Sequence, residues 1–373
     1  MSSAAPLAME ALRVPHWYGR TARVRCRRRS QFVIRGRAMT SFDQWDRRSG
    51  ALSSAVLVRR SSLPRRAPAP VTDIHQHLWT DEFLSALARR TALPRLRREG
   101  RRWRLEARGE PSCIIDPTDH DRSRRAHLAL VDGVERVIVA PSCPIGIEAL
   151  PVRDAVPLLD AYHAGVSALG APFSAWAAAG LADPDPSTLA ARLKAGFVGL
   201  CMPAGALSAP EDIARIAPLL EVLDAGSAPL LIHPGPAPWS PVPELPRSVP
   251  AWWTPLTTYV AQMQRAWFVA NHVVRRDFPA LRVCLAMLGG LAPLHQDRLR
   301  SRGGEAFSPD QVTFLESSSY GPEIVAAVAD VVGRDAIVFG TDRPVVDAAP
   351  VSLASAVSAR ANVARLIDGE AHE

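Results

Sequence analysis

Short apolar runs recur between residues 71 and 340 and alternate with longer stretches whose apolar positions repeat at helical spacing. The short runs predict strands at 72–75, 136–140, 173–177, 197–201, 229–233, 282–287, 311–316 and 336–340. The longer stretches predict helices at 152–169, 186–194, 211–224, 257–276, 292–302 and 323–332, several opening on a proline or an N-cap type residue and closing near glycine. Strand and helix in repeated alternation predict a parallel α/β architecture, and eight repeats predict a (β/α)8 TIM barrel. In such a barrel the chemistry sits at the C-terminal ends of the strands.

Two stretches interrupt the alternation. Residues 93–115 are basic, contain Trp103, and carry Gly100 and Gly109 beside two short strand-like runs, which predicts a hairpin inserted after the first strand. Residues 229–255 hold nine prolines in 27 positions, together with Trp239, Trp252 and Trp253. That rigid aromatic loop either lids a planar or apolar substrate or packs onto the barrel. The uncharged stretch 161–182 is long enough to span a bilayer, but Tyr162, His163, three glycines and Pro172 break it into a helix end, a turn and a strand. No membrane span is predicted.

Charge divides the chain. Residues 1–70 hold 15 arginines and three acidic residues, whereas the remaining 303 hold 29 basic and 34 acidic ones. The formal charge of +7 thus belongs to an Arg-rich extension over 1–70, expected to be disordered, and the folded part is 71–373. The extension has no groove-reading motif and the folded part is mildly acidic, so nucleic acid is not an expected partner. Arg28-Arg29 imitates an export signal, but no apolar stretch follows it, and a translation start at Met39 or later would remove the cluster altogether. Five scattered cysteines show no disulfide or zinc spacing, which fits a reduced, cytoplasmic setting.

The strand ends carry the candidate chemistry. The first ends in His75-Gln76-His77, whose alternate spacing points both imidazoles the same way. The fifth ends in His233, and Asp342 lies just past the eighth. Three neutral imidazoles and a carboxylate make a site for one divalent ion, zinc first, with manganese or iron as alternatives.

These residues resemble the amidohydrolase-related family of the amidohydrolase superfamily, which includes aminocarboxymuconate semialdehyde decarboxylase. The resemblance covers roughly residues 71–347. It rests on Asp73-Ile74-His75-Gln76-His77, Gly196-Phe197-Val198-Gly199-Leu200, Ile232-His233-Pro234, Phe278-Pro279-Ala280-Leu281-Arg282 with Gly289-Gly290 and Pro293, and Phe339-Gly340-Thr341-Asp342-Arg343-Pro344. It implies a metal-dependent enzyme of a small organic acid or a cyclic or aromatic compound, with His75, His77, His233 and Asp342 as ligands and Asp342 also moving a proton. Two-metal relatives carry a lysine at the end of strand four, but the one lysine here, Lys194, precedes that strand, which favours one ion. Members of the decarboxylase type carry a histidine at the end of strand six, where Met287 stands in this chain. A thioether carries no proton at neutral pH, so His295 is the candidate replacement. Hydrolysis by a metal-activated water is therefore the first expectation, non-oxidative decarboxylation of an aromatic or enoic acid the second, and a non-catalytic barrel the third. Arg343 and Tyr320 join the three tryptophans as candidate substrate contacts, Glu316 is another, and Asp73 is expected to support the first strand from behind. Barrels of this kind commonly form homodimers. Deletion of residues 1–70 is expected to leave the thermal melt and any activity unchanged; loss of the cooperative melt by circular dichroism would refute that division.

Overall fold

Strands form at each apolar run that predicts one. In the computed structural model, which describes residues 71–242, 244–246, 249–308, 310–346 and 360–369, they are numbered in chain order. β1 (Val71–Gln76) is followed by β2 (Arg95–Glu99), β3 (Arg102–Glu106) and β4 (Cys113–Ile115). Then come β5 (Val134–Val139), β6 (Phe173–Ala175), β7 (Leu200–Pro203), β8 (Leu230–His233), β9 (Val283–Leu285), β10 (Thr313–Glu316) and β11 (Ile337–Val338). The Arg-rich extension lies outside the described residues.

β1, β5 and β6 pair in parallel, as do β7 to β11 in sequence order. Backbone hydrogen bonds cross both gaps between these two sheets. At one, the Ala177 N–H donates to the Gly199 carbonyl and the Cys201 N–H to the Ala177 carbonyl, both at 2.8 Å. At the other, the Ile74 N–H donates to the Phe339 carbonyl at 3.0 Å and the Asp342 N–H to the His75 carbonyl at 2.8 Å.

One inward residue comes from each of these eight strands or its immediate end: Ile74, Ile138, Trp176, Cys201, Leu231, Cys284, Phe314 and Val338. Small cysteines beside a tryptophan and a phenylalanine let large and small side chains interdigitate in this inner layer. Helix Arg360–Asp368 adds Val363, Leu366 and Ile367 to the same cluster. Outward residues such as Val137, Leu200, Ile232 and Leu285 join the main core with the helices.

Four details depart from the pattern. The inserted hairpin gains a third strand, so β2, β3 and β4 form an antiparallel meander. Helices Asp81–Ala88 and Arg122–Val131 were not predicted; the second buries just Arg125 and Ala129, too few positions to write a periodicity. The expected helix 257–276 is regular over Val260–Val269, between wider turns at Pro255–Tyr259 and Ala270–Val274. Instead of a helix from 292, residues 287–291 run through five consecutive positive φ angles of 50 to 63°, and helix starts at Gln296–Arg300. Gly290 is required there, because a Cβ would stand 2.7 Å from the Val260 carbonyl oxygen.

Leu366 is fully buried against the inner layer. Leu366→Ala is expected to cost about 2–5 kcal/mol in urea denaturation; a change under about 0.5 kcal/mol would mean that this helix does not close the core.

Candidate metal centre

The first strand reaches the site through a bulge. Asp73 is paired with Val137 and Gln76 with Val139, so three steps on β1 face two on β5. Asp73 and Gln76 therefore share the outer side, where the Gln76 amide donates to the Asp73 carboxylate at 2.6 Å. The residues between them serve the interior: Ile74 enters the inner layer and His75 the site above it. Arg125, itself buried, donates to the Gln76 side chain and to the His77 carbonyl, fixing the end of the strand.

His75, His77, His233 and Asp342 come together with all four donor atoms within 4.8 Å of one another. The Nε2 atoms of His75 and His77 are 3.3 Å apart, and Asp342 Oδ1 lies 3.0 Å from His77 Nε2 and 3.6 Å from His75 Nε2. Two ligands about 2.1 Å from one ion stand about 3.0 Å apart at a right angle and about 3.4 Å apart at a tetrahedral angle. The observed edges fit either arrangement.

Each imidazole is oriented by an acceptor behind it. His75 Nδ1 donates to Glu316 Oε2 at 3.1 Å, His77 Nδ1 to the Ala140 carbonyl at 3.0 Å, and His233 Nδ1 to the Pro234 carbonyl at 2.9 Å. These partners only accept, so the Nδ1 atoms carry the protons and the Nε2 lone pairs remain for an ion. Glu316 is fully buried, and its remaining capacity goes to the Ser318 hydroxyl at 2.8 Å, the Ser318 N–H at 2.5 Å and the Met287 N–H at 3.3 Å. Gly340 makes room for it: a Cβ there would stand 2.3 Å from Glu316 Oε1.

Asp342 has a positive φ of 55°, and its N–H is bound to the His75 carbonyl. The preceding residue is tied to β1, since Thr341 donates from its hydroxyl at 2.6 Å and its N–H at 3.1 Å to the Asp73 carboxylate. The charges are short of a cation. Burial opposes charge on His75, but the Glu316 and Asp342 carboxylates outweigh it and push the imidazolium up to about 9, so a bound ion would take the place of the proton on Nε2. Burial, then the positive charge of His75 and His77, hold His233 well below its ordinary value. Burial raises the Asp342 carboxyl, yet the three imidazoles bring it below the carboxylate range. Asp342 Oδ1 is buried without a hydrogen-bond partner, which is the place a divalent ion would satisfy.

The other candidates are exposed or have partners of their own. His295 is exposed at the start of helix Gln296–Arg300. Trp252 and Trp253 are exposed side by side, and Trp239 packs on the main core with the Arg215 guanidinium 4.9 Å above its ring. Tyr320 packs against the main core. Instead of standing free for a substrate carboxylate, the Arg343 guanidinium pairs with Asp132 at 2.7 Å, while its carbonyl accepts the His77 N–H at 2.7 Å. Glu316, expected as a substrate contact, instead holds His75. Its signal in the sequence was an acid inside an apolar strand, which must find buried donors. The Cys143 and Cys201 thiols hydrogen-bond at 3.8 Å and form no disulfide.

No protein-family model and no curated relative matches the chain. Solved structures do. IDCase from Metarhizium anisopliae matches with a TM-score of 0.59 at 17% identity, over 80% of this chain and 97% of that one. An amidohydrolase II matches at 0.58 and 14%, over 80% and 99%. The dihydroxybenzoic acid decarboxylase of Polaromonas sp. JS666, solved with bound manganese and the inhibitor 2-nitroresorcinol, matches at 0.55 and 17%, over 81% and 98%. At these identities the likeness is one of fold, and it runs to the amidohydrolases and decarboxylases that the sequence motifs resemble.

Glu316→Gln keeps the size of the side chain but removes its charge. It is expected to weaken zinc or manganese binding about 10–100-fold in a competition titration with a chromophoric chelator; unchanged affinity would refute the role assigned to Glu316.

Proposed function

We propose that the eight parallel strands close into a (β/α)8 barrel, that His75, His77, His233 and Asp342 hold one divalent ion at its mouth, and that the protein is a non-oxidative decarboxylase of an aromatic or enoic acid. The observation that carries this reading is the four-residue cluster, with its three outward-held Nδ1 protons and the unpartnered Asp342 oxygen, set at the ends of strands β1, β8 and β11. Support for closure comes from the hydrogen bonds across both gaps between the sheets. One ion is favoured over two because β7 ends in Cys201-Met202-Pro203, with no lysine to bridge a pair. Manganese in the Polaromonas decarboxylase makes it as good a choice as the zinc expected from the donor set.

A bound ion would supply Lewis-acid stabilisation of negative charge that develops on the substrate. The chain's own residues do the rest. Glu316 and the Ala140 and Pro234 carbonyls fix the imidazoles, so little reorganisation is needed when charge develops. The turn from Thr341, anchored on Asp73, presents the Asp342 carboxylate at the mouth. Hydrolysis of a small cyclic or aromatic compound is the second reading, favoured by Met287, because this position lacks the imidazole typical of the decarboxylase type.

Metal analysis of the purified protein is expected to give about one ion per chain, and chelation to lower the melting temperature. Carbon dioxide release from a panel of dihydroxybenzoates and related acids is expected in the loaded protein and lost in His233→Ala. Release of a hydrolysis product without carbon dioxide would select the second reading; no stoichiometric metal and an unchanged melt would sink both.

A further inference from the structure

Helix Val152–Ser167 turns an apolar stripe into a cavity. Val152, Ala155, Val156, Leu159 and His163 fall on one face at helical spacing and line a space of about 560 Å³ between this helix and helix Pro186–Lys194. Leu189 and Arg192 line it from the second helix, and most of the remaining lining comes from the connection 178–185. One ion pair joins the two helices, from the Arg192 guanidinium to Asp160 at 2.9 Å. The volume is that of a small-molecule pocket. Val152 and Val156 are nearly half exposed, which leaves apolar surface for an occupant to cover.

His163 ends the stripe in a polar group. Its imidazole is buried and held edge-on by the Tyr162 and Phe197 rings, at 5.3 and 5.1 Å between centroids. Nε2 accepts the Ala178 N–H at 3.0 Å, so Nδ1 carries the proton. Burial, then the Arg192 charge, bring the imidazole down to about 3 against a pull from the Leu159 carbonyl, which leaves it neutral at pH 7. That carbonyl, one turn back, already serves the His163 backbone N–H, and Nδ1 makes no hydrogen bond. Among the described residues it is the one buried polar side-chain atom of this lining without a partner, a donor that an occupant's acceptor would satisfy.

Charge narrows the choice of occupant. Asp160, Asp183 and Asp185 line the cavity against Arg192, its one cation among the described residues, and Arg192 is already paired. An anion would meet an excess of negative charge, and a cation would meet Arg192 and a proton donor. An uncharged hydroxyl suits both neighbours. Its oxygen accepts from Nδ1, and its hydrogen has the Asp160 carboxylate, three residues back on the same helix face, to donate to.

We propose that this seam is a second binding site of the protein, for a small uncharged apolar molecule bearing a hydroxyl, whose oxygen bonds His163 and whose body lies along Val152, Val156 and Leu159. The inference goes beyond the metal-centre reading and stands without it.

2-Naphthol, 2-naphthoate and 2-naphthylmethylamine share one ring system and are neutral, anionic and cationic near pH 7. In isothermal titration of the full chain, 2-naphthol is expected to bind at about one per chain, and the two ions at least about 10-fold more weakly. His163→Phe is expected to weaken 2-naphthol about 3–10-fold, the loss of one hydrogen bond. Val156→Trp, at a nearly half-exposed position, fills the seam and is expected to abolish binding while the melt stays cooperative, so it tests the site even where His163→Phe fails to fold. No saturable binding, either ion binding as tightly as 2-naphthol, unchanged affinity in a folded His163→Phe, or binding that survives Val156→Trp would overturn the proposal. Binding kept in Val156→Trp but lost in His233→Ala would overturn it by placing the molecule at the metal centre.

Discussion

The buried carboxylate of Asp73 is the constraint on which the site depends. It accepts from the His75 N–H, the Gln76 amide, the Thr341 N–H and the Thr341 hydroxyl, joining positions 268 residues apart in the chain. Burial pushes its carboxyl up, and these hydrogen bonds counter the rise without cancelling it. A fully buried acceptor with four donors is far costlier to disturb than a surface pair, because each donor would lose its partner where water cannot replace it. Two of the candidate ligands, His75 and His77, stand just after Asp73, and a third, Asp342, stands just after Thr341. One carboxylate thus sets the separation of donors from the two ends of the strand order.

Much of the architecture was legible because its signals are local. An apolar run of strand length writes itself in adjacent residues, and a histidine or aspartate at its end is visible without knowing the partner. The four-residue cluster could be read off β1, β8 and the segment after β11 for that reason. The bulge in β1 could not, because it exists as a mismatch of register with β5. Alternation alone would have put Ile74 and His75 on opposite faces, and the extra residue lets both serve the interior. Charged helices were also missed: Arg122–Val131 hides the one arginine that clamps the site, Arg125, beside two others on the same helix. Arg343 shows the converse error, a side chain that looks available in sequence and is taken by Asp132, which lies far away along the chain.

Glu316 and the turn after β9 explain each other. Five successive left-handed residues are unfavourable for any chain whose members are not all glycine. Here they turn the Met287 N–H toward Glu316, and Gly290 lets the turn lie against the Val260 carbonyl. Strain in the turn is balanced by a carboxylate that also fixes His75. The Gly289-Gly290 pair was visible in the sequence, but its purpose lies in a strand whose glutamate had no assigned partner.

Met287 first tips the choice toward hydrolysis, but proton counting tips it back. Hydrolysis of an amide or ester needs a base to take a proton from water and an acid to give one to the leaving group. Decarboxylation needs one proton delivered to carbon, while the carboxylate departs as carbon dioxide. The cluster offers few proton carriers: two imidazoles spend Nδ1 on backbone carbonyls, the third on Glu316, and Asp342 sits below the usual carboxylate range. A centre rich in oriented lone pairs and poor in spare acids and bases suits the reaction that moves fewer protons. Loss of an imidazole at the end of β9 therefore handicaps hydrolysis at least as much, and what it asks of the rest of the mouth is a single proton donor.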